Sequence, residues 1–178
     1  MQVWIALFRG INVSGKNIVP MADLRALMSN IGFEGAKTYI QSGNLVFQSA
    51  DDNVTIRKKI TDAVADKFGF EPRLMLLSVE AINRAIHNNP FPAGEADPKT
   101  LHLYFLNEAP ENTDLAAMAG WKIDSEAYEL QGDVFYLHAP DGIGRSKLAE
   151  RVERLLGVGA TARNWRSVSK ILALAQGF

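Results

Sequence analysis

The sequence predicts an α+β protein of two related ferredoxin-like (βαββαβ-type) subdomains with mainly antiparallel sheets. Three observations carry that prediction. Short apolar runs rich in β-formers alternate with segments of helical periodicity. Tight turns at Ser42-Gly43 and Gln131-Gly132-Asp133 join consecutive strands, and a short turn allows only antiparallel pairing. The stretch "NNPFPAGEADPK" breaks the pattern with prolines and a glycine. It separates subdomains 1–87 and 99–178 as a linker at 88–98.

In chain order, Gln2–Phe8 reads as a buried strand. Pro20 suits the first turn of a helix in which Leu24, Leu27, Met28 and Ile31 share one face, and Gly32 ends it. Lys37–Gln41 and Asn44–Gln48 form the first hairpin. Asp51 or Asp52 caps a helix striped by Ile56, Ile60, Val64 and Phe68, and Gly69 closes it. Pro72–Leu77 supplies another strand, so the first half reads β-α-β-β-α-β, the split βαβ order. Ser78 caps a connecting helix that runs to His87. Thr100–Leu106 is a strand, Glu111–Ala119 a helix, and "YELQGDVFYLHAP" a hairpin. Two helices, Ser146–Leu156 and roughly Asn164–Gln176, close the chain. The second half is therefore expected to repeat the first with its last strand missing.

At 178 residues, with 47% hydrophobic and 22% charged content, the chain is long enough to bury a sizeable core. Its net charge of −1 excludes a globally basic nucleic-acid binder, so any anion site must be local. The absence of cysteine excludes disulfides, thiolate metal sites and cysteine nucleophiles, and fits a reducing compartment. The N-terminal apolar run is too short to span a bilayer and lacks a basic stretch before it. A cytoplasmic location without membrane attachment is expected.

"FRGINVSGKNIVP" holds the spacing G-x-x-x-x-G-K from Gly10, with Asn17 where the phosphate loop of nucleotide hydrolases requires Ser or Thr. Asn17 cannot give Mg²⁺ the hydroxyl that such a loop supplies, and Pro20 places the helix start beyond Lys16. Two readings stand: a plain connector, or a backbone-lined anion nest that includes Asn12 and is flanked by Arg9 and Lys16. "QSGN" places the polar residues Gln41 and Asn44 at a hairpin tip. "APDGIGRSKL" brings Arg145, Ser146 and Lys147 to an expected helix start, with Lys147, Arg151 and Arg154 on one helical face. "TARNWRSVSK" places Arg163 and Asn164 at the next helix start. There Trp165, Val168, Leu172 and Ala175 form a core face, and Arg163, Arg166 and Lys170 the opposite one. His87, His102 and His138 lack metal-ligand spacing, and no pattern singles out Asp124, Glu126 or Glu129 as an acid–base pair.

Taken together, "LFRGINVSGKNIVPMADLRAL", "TYIQSGNLVF", "GIGRSKL" and "TARNWRSVSKILAL" resemble the domain of unknown function 1697 family over nearly the full chain. Two departures stand out: Ser14 replaces a usual second glycine, and Thr161-Ala162 replaces a frequent pair of threonines. The resemblance implies an α+β fold of two related subdomains and no established activity or cofactor.

The leading expectation is a binding module for a phosphate-bearing small molecule or a nucleic acid. Its site would be a basic cleft between the subdomains, drawing on Arg9, Asn12, Lys16, Asn17, Gln41, Asn44, Arg145, Lys147, Arg163 and Asn164, with Asp23 and Asp141 as counter-charges. Tyr39 and Phe47 are the candidates for base stacking. The alternatives are an enzyme acting on a small phosphorylated or acylated molecule, and a protein-interaction module. Cofactor and oligomeric state are left unassigned.

Overall fold

The computed structural model describes residues 1–178, which form two compact units: Met1–Asn83 together with Lys170–Phe178, and Arg84–Ser169. No helix is long and apolar enough to cross a membrane.

The first unit contains β1 (Gln2–Arg9), α1 (Met21–Asn30), β2 (Glu34–Tyr39), β3 (Asn44–Ser49), α2 (Asn53–Phe68) and β4 (Arg73–Ser78). Its strands form a four-stranded sheet in the order β2-β3-β1-β4, antiparallel at every pairing. Side chains alternate across the sheet, so Ala6, Phe8, Leu45, Phe47, Leu74 and Leu76 meet the apolar stripes of α1 and α2. Leu24 and Met28 come from α1, and Ile56, Ile60 and Val64 from α2; all five are inaccessible to solvent. Asp52 caps α2 by accepting the Thr55 N–H at 2.7 Å, and Gly69 closes it at φ 77°. Trp4, half-buried, packs against the same core.

α3 (Val79–His87) carries the chain into the second unit, with the Ser78 hydroxyl accepting the Ala81 N–H at 3.1 Å. The stretch expected as linker holds a short helix, α4 (Ala93–Ala96). Then come β5 (Leu101–Leu106), α5 (Leu115–Trp121), β6 (Ala127–Gln131), β7 (Val134–His138), α6 (Val152–Leu156), β8 (Ala160–Asn164) and α7 (Trp165–Gln176). Their four-stranded antiparallel sheet runs β6-β7-β5-β8, the first order repeated strand for strand. The expectation of a missing last strand is therefore corrected: Ala160–Asn164 is that strand, paired with β5 from His102↔Asn164 to Leu106↔Ala160.

The expected helix Ser146–Leu156 is also shorter than its pattern suggests. Ile143–Arg145 and Ala149–Arg151 are single 3-10 turns, and only Val152–Leu156 is α-helical. Arg151 is consequently free of a helical face and lies over the Trp121 ring, 3.9 Å from its centroid. Trp165 is buried, as are Val168, Leu172 and Ala175 on the same side of α7. The last residues of α7 and beyond belong with the first unit. There Lys37 Nζ donates to Gly177 O at 3.1 Å and sits over the Phe178 ring.

Candidate anion site

The register of the first sheet settles which loops share an edge. Leu7 opposes Asn44, and the Phe8 N–H donates to Gly43 O at 2.8 Å. The turn between β2 and β3 therefore lies beside the loop that leaves β1. Asn12 ties them together: its Nδ2 donates to Val19 O at 2.9 Å and to Gln41 O at 2.8 Å, while its Oδ1 accepts the Val19 N–H at 2.8 Å. Contact is so close at Gly43 that a Cβ there would lie 2.5 Å from Ile11 Cδ1 and 2.6 Å from Phe8 Cβ.

This packing bends the backbone into rarely used conformations. Asn12, Ser14 and Asn17 all have positive φ, and so does Ile40 at 49°, a costly value for a β-branched residue. Two loop N–H groups that a nest would offer to an anion are spent internally, Asn12 N on Asn17 O and Lys16 N on Val13 O. α1 begins at Met21, so no helix N-terminus points at the loop as in a nucleotide-hydrolase phosphate site.

Several predicted ligands are thus occupied in holding the fold. Asn12 has its amide engaged as described. Asn17 Nδ2 donates to Gly10 O at 3.1 Å. Asn44 is fully buried, and its Nδ2 donates to Tyr39 O and to Ser42 Oγ. Gln41 contributes its backbone carbonyl to the Asn12 clasp, and its side chain is exposed, as is that of Lys16. Phe47 stacks on Phe33 with ring centroids 4.6 Å apart and no exposed surface, so it cannot serve as a base platform.

Arg9 remains, and the register adds a residue that the sequence did not single out. Arg9 is directly opposite Arg73 across β1 and β4. Opposed residues of an antiparallel pair project from the same face with Cβ atoms about 5 Å apart. Both side chains are exposed and line a cavity of about 300 Å³ with Gly10, Asn17, Phe70 and Glu71. Two guanidiniums and one carboxylate leave this cavity locally positive. Only knowledge of the pairing register could have found Arg73, because in sequence it is the polar start of "RLMLLS".

In the second unit, Arg163 projects from β8 opposite Leu103 and donates to Ala162 O at 2.9 Å. Burial pulls its guanidinium down to about 10. Asn164 caps α7, its Oδ1 accepting the Ser167 N–H at 2.9 Å. Arg145 and Lys147 are exposed; Ser146 is buried and accepts the Ala149 N–H. A second cavity, of about 290 Å³, is lined by Glu108, Glu111, Asn112 and Gly157 among others, and by none of the predicted cations. His102, half-buried on β5, has its Nδ1 without a hydrogen-bond partner, and burial lowers its pKa to about 4. No group of acidic and histidine side chains is arranged to hold a metal ion.

The solved structure of a conserved bacterial protein, SP0830 from Streptococcus pneumoniae, is similar to this chain with a TM-score of 0.70 and 26% identity, covering 98% of each chain. No curated protein matches. The family described as "protein of unknown function (DUF1697)" matches residues 1–136, well over half of the sequence, and the same opening loop and hairpin that build the cavity edge fall within that match. The chain therefore belongs to the DUF1697 family.

Proposed function

We propose that this protein is a binding module for a phosphate-bearing small molecule, which it takes at the Arg9–Arg73 cavity of the first unit. One observation carries the reading: two arginines are held opposite each other on neighbouring strands, at the wall of one cavity. Like charges in that relation destabilise a sheet, by roughly 0.2–1 kcal/mol. An anion between them turns repulsion into two charge-assisted contacts, and guanidinium geometry suits phosphate oxygens.

The small-molecule form is favoured over nucleic acid by scale. About 300 Å³ lies at the lower end of ligand pockets. The net charge of −1 offers no extended basic track, and the stacking surface expected at Phe47 is buried. A ferredoxin-like arrangement of each unit goes with this reading, supported by the succession β-α-β-β-α-β and by the twice-used strand order.

Calorimetric titration with inorganic phosphate at low salt tests the proposal. Arg73→Gln is expected to weaken binding at least tenfold while leaving stability unchanged or slightly raised, because it also removes the like-charge opposition. Unaltered phosphate binding in that variant, or none in the parent, would sink the reading. Binding of a short single-stranded RNA with a steep salt dependence, in place of phosphate, would transfer the site to nucleic acid.

A further inference from the structure

Glu71 and Phe70 line the same cavity as the two arginines, and they restrict what can occupy it. Glu71 forms no ion pair with either guanidinium, nor does its side chain hydrogen-bond elsewhere in the chain. Arg73 likewise has no side-chain ion pair or hydrogen bond. Pro72 lies between them, and its ring fixes φ, limiting how the two side chains can approach each other.

We infer that the ligand is a hydroxyl-bearing phosphate ester of the sugar phosphate class, with Glu71 as the residue that selects it. This rests on the anion reading of the cavity. An ionised carboxylate only accepts hydrogen bonds, so the group facing Glu71 must donate. Phosphate oxygens do not, and bare phosphate is repelled there. Hydroxyls and ammonium groups both donate, but they differ in charge. Arg9 and Arg73 against Glu71 leave the cavity positive overall, which complements a ligand of net negative charge. A sugar phosphate keeps its full negative charge, whereas an ammonium-bearing phosphate is partly neutralised. Phe70, half-buried against the first core, offers an apolar surface for the C–H face of a sugar ring.

The test compares inorganic phosphate, ribose 5-phosphate and ethanolamine phosphate by calorimetry on the full chain and on Glu71→Gln. Ribose 5-phosphate should bind at least tenfold more tightly than phosphate. In Glu71→Gln that advantage should shrink to about threefold or less, while phosphate itself binds as well or better. Equal gains for phosphate and ribose 5-phosphate in the variant would reduce Glu71 to a general repulsive charge and overturn the inference. Preference for ethanolamine phosphate would overturn the hydroxyl assignment. If phosphate binds but the sugar adds nothing, the inference fails and the anion site stands. If no probe binds, the anion site fails too.

Discussion

Asn12 fills a position that a sequence reader assigns to a ligand and that the fold uses as a fastener. Its amide makes three hydrogen bonds that join the loop after β1 to the β2–β3 turn and to Val19. Asparagine also tolerates the left-handed backbone found there, φ 55°. Asn12→Ala is expected to cost about 2–3 kcal/mol in urea unfolding, from groups left without partners and from strain. Asn12→Asp should be no milder, because a carboxylate would face two carbonyl oxygens. At this scale the sequence was legible in residue type and misleading in role. Asn17 and Asn44, like Asn12, are polar residues in Gly-containing turns, where a side chain bonding to nearby backbone competes with ligand binding as the reason for its presence. Arg73 was illegible for a different reason: its partner is decided by a strand register set far away in the chain. His102 carries a pH prediction. Its folded pKa of about 4 lies below the unfolded 6.5, so the unfolded chain takes up the proton first. The stability contribution is complete above pH 6.5, is lost as pH falls from 6.5 towards 4, and amounts to at most about 3 kcal/mol. His102→Leu should flatten the stability profile between pH 6.5 and 5, measured by urea titration at each pH.

Helices with a clear stripe and a glycine stop, α1 and α2, were readable nearly to the residue, since burial and capping both leave marks in sequence. β8 was not. It is short, ends in Arg163 and Asn164, and runs straight into α7, so its two-residue periodicity is overwritten by the capping signal that follows. Pairing with β5 and burial of Ala160 make it a strand in spite of that composition. The region from Ile143 to Leu156 erred the other way: glycines at 142 and 144 and tight local turns break what apolar spacing suggested was one helix. Asn164 supplies the element-scale prediction. Asn164→Ala should destabilise the protein by about 1 kcal/mol through loss of the α7 cap, whereas Asn164→Asp or Asn164→Ser should retain most of it.

Across the whole molecule, the same strand order is built twice from sequences that show no obvious residue-by-residue repeat. Pattern was sufficient for this because an alternating strand and a striped helix can be made from many residue choices, and the short hairpin turns then fix which strands are neighbours. The site was less legible than the fold. Basic residues beside glycines are visible in sequence, but whether they line a common cavity depends on geometry that only the assembled sheet provides.

The placement of the tryptophans gives the protein a built-in optical asymmetry. Trp4 lies in the first unit, Trp121 and Trp165 in the second, so intrinsic emission weights the second unit more heavily. Trp121 sits under a guanidinium while Trp165 is buried, so the two should emit at different wavelengths in the native state. A Trp121→Phe/Trp165→Phe variant would leave Trp4 as the lone reporter of the unit that holds the Arg9–Arg73 cavity. Phosphate should then delay the emission change of that variant on urea addition, by RT ln(1 + [L]/Kd), which is about 2.7 kcal/mol at a hundredfold excess over Kd.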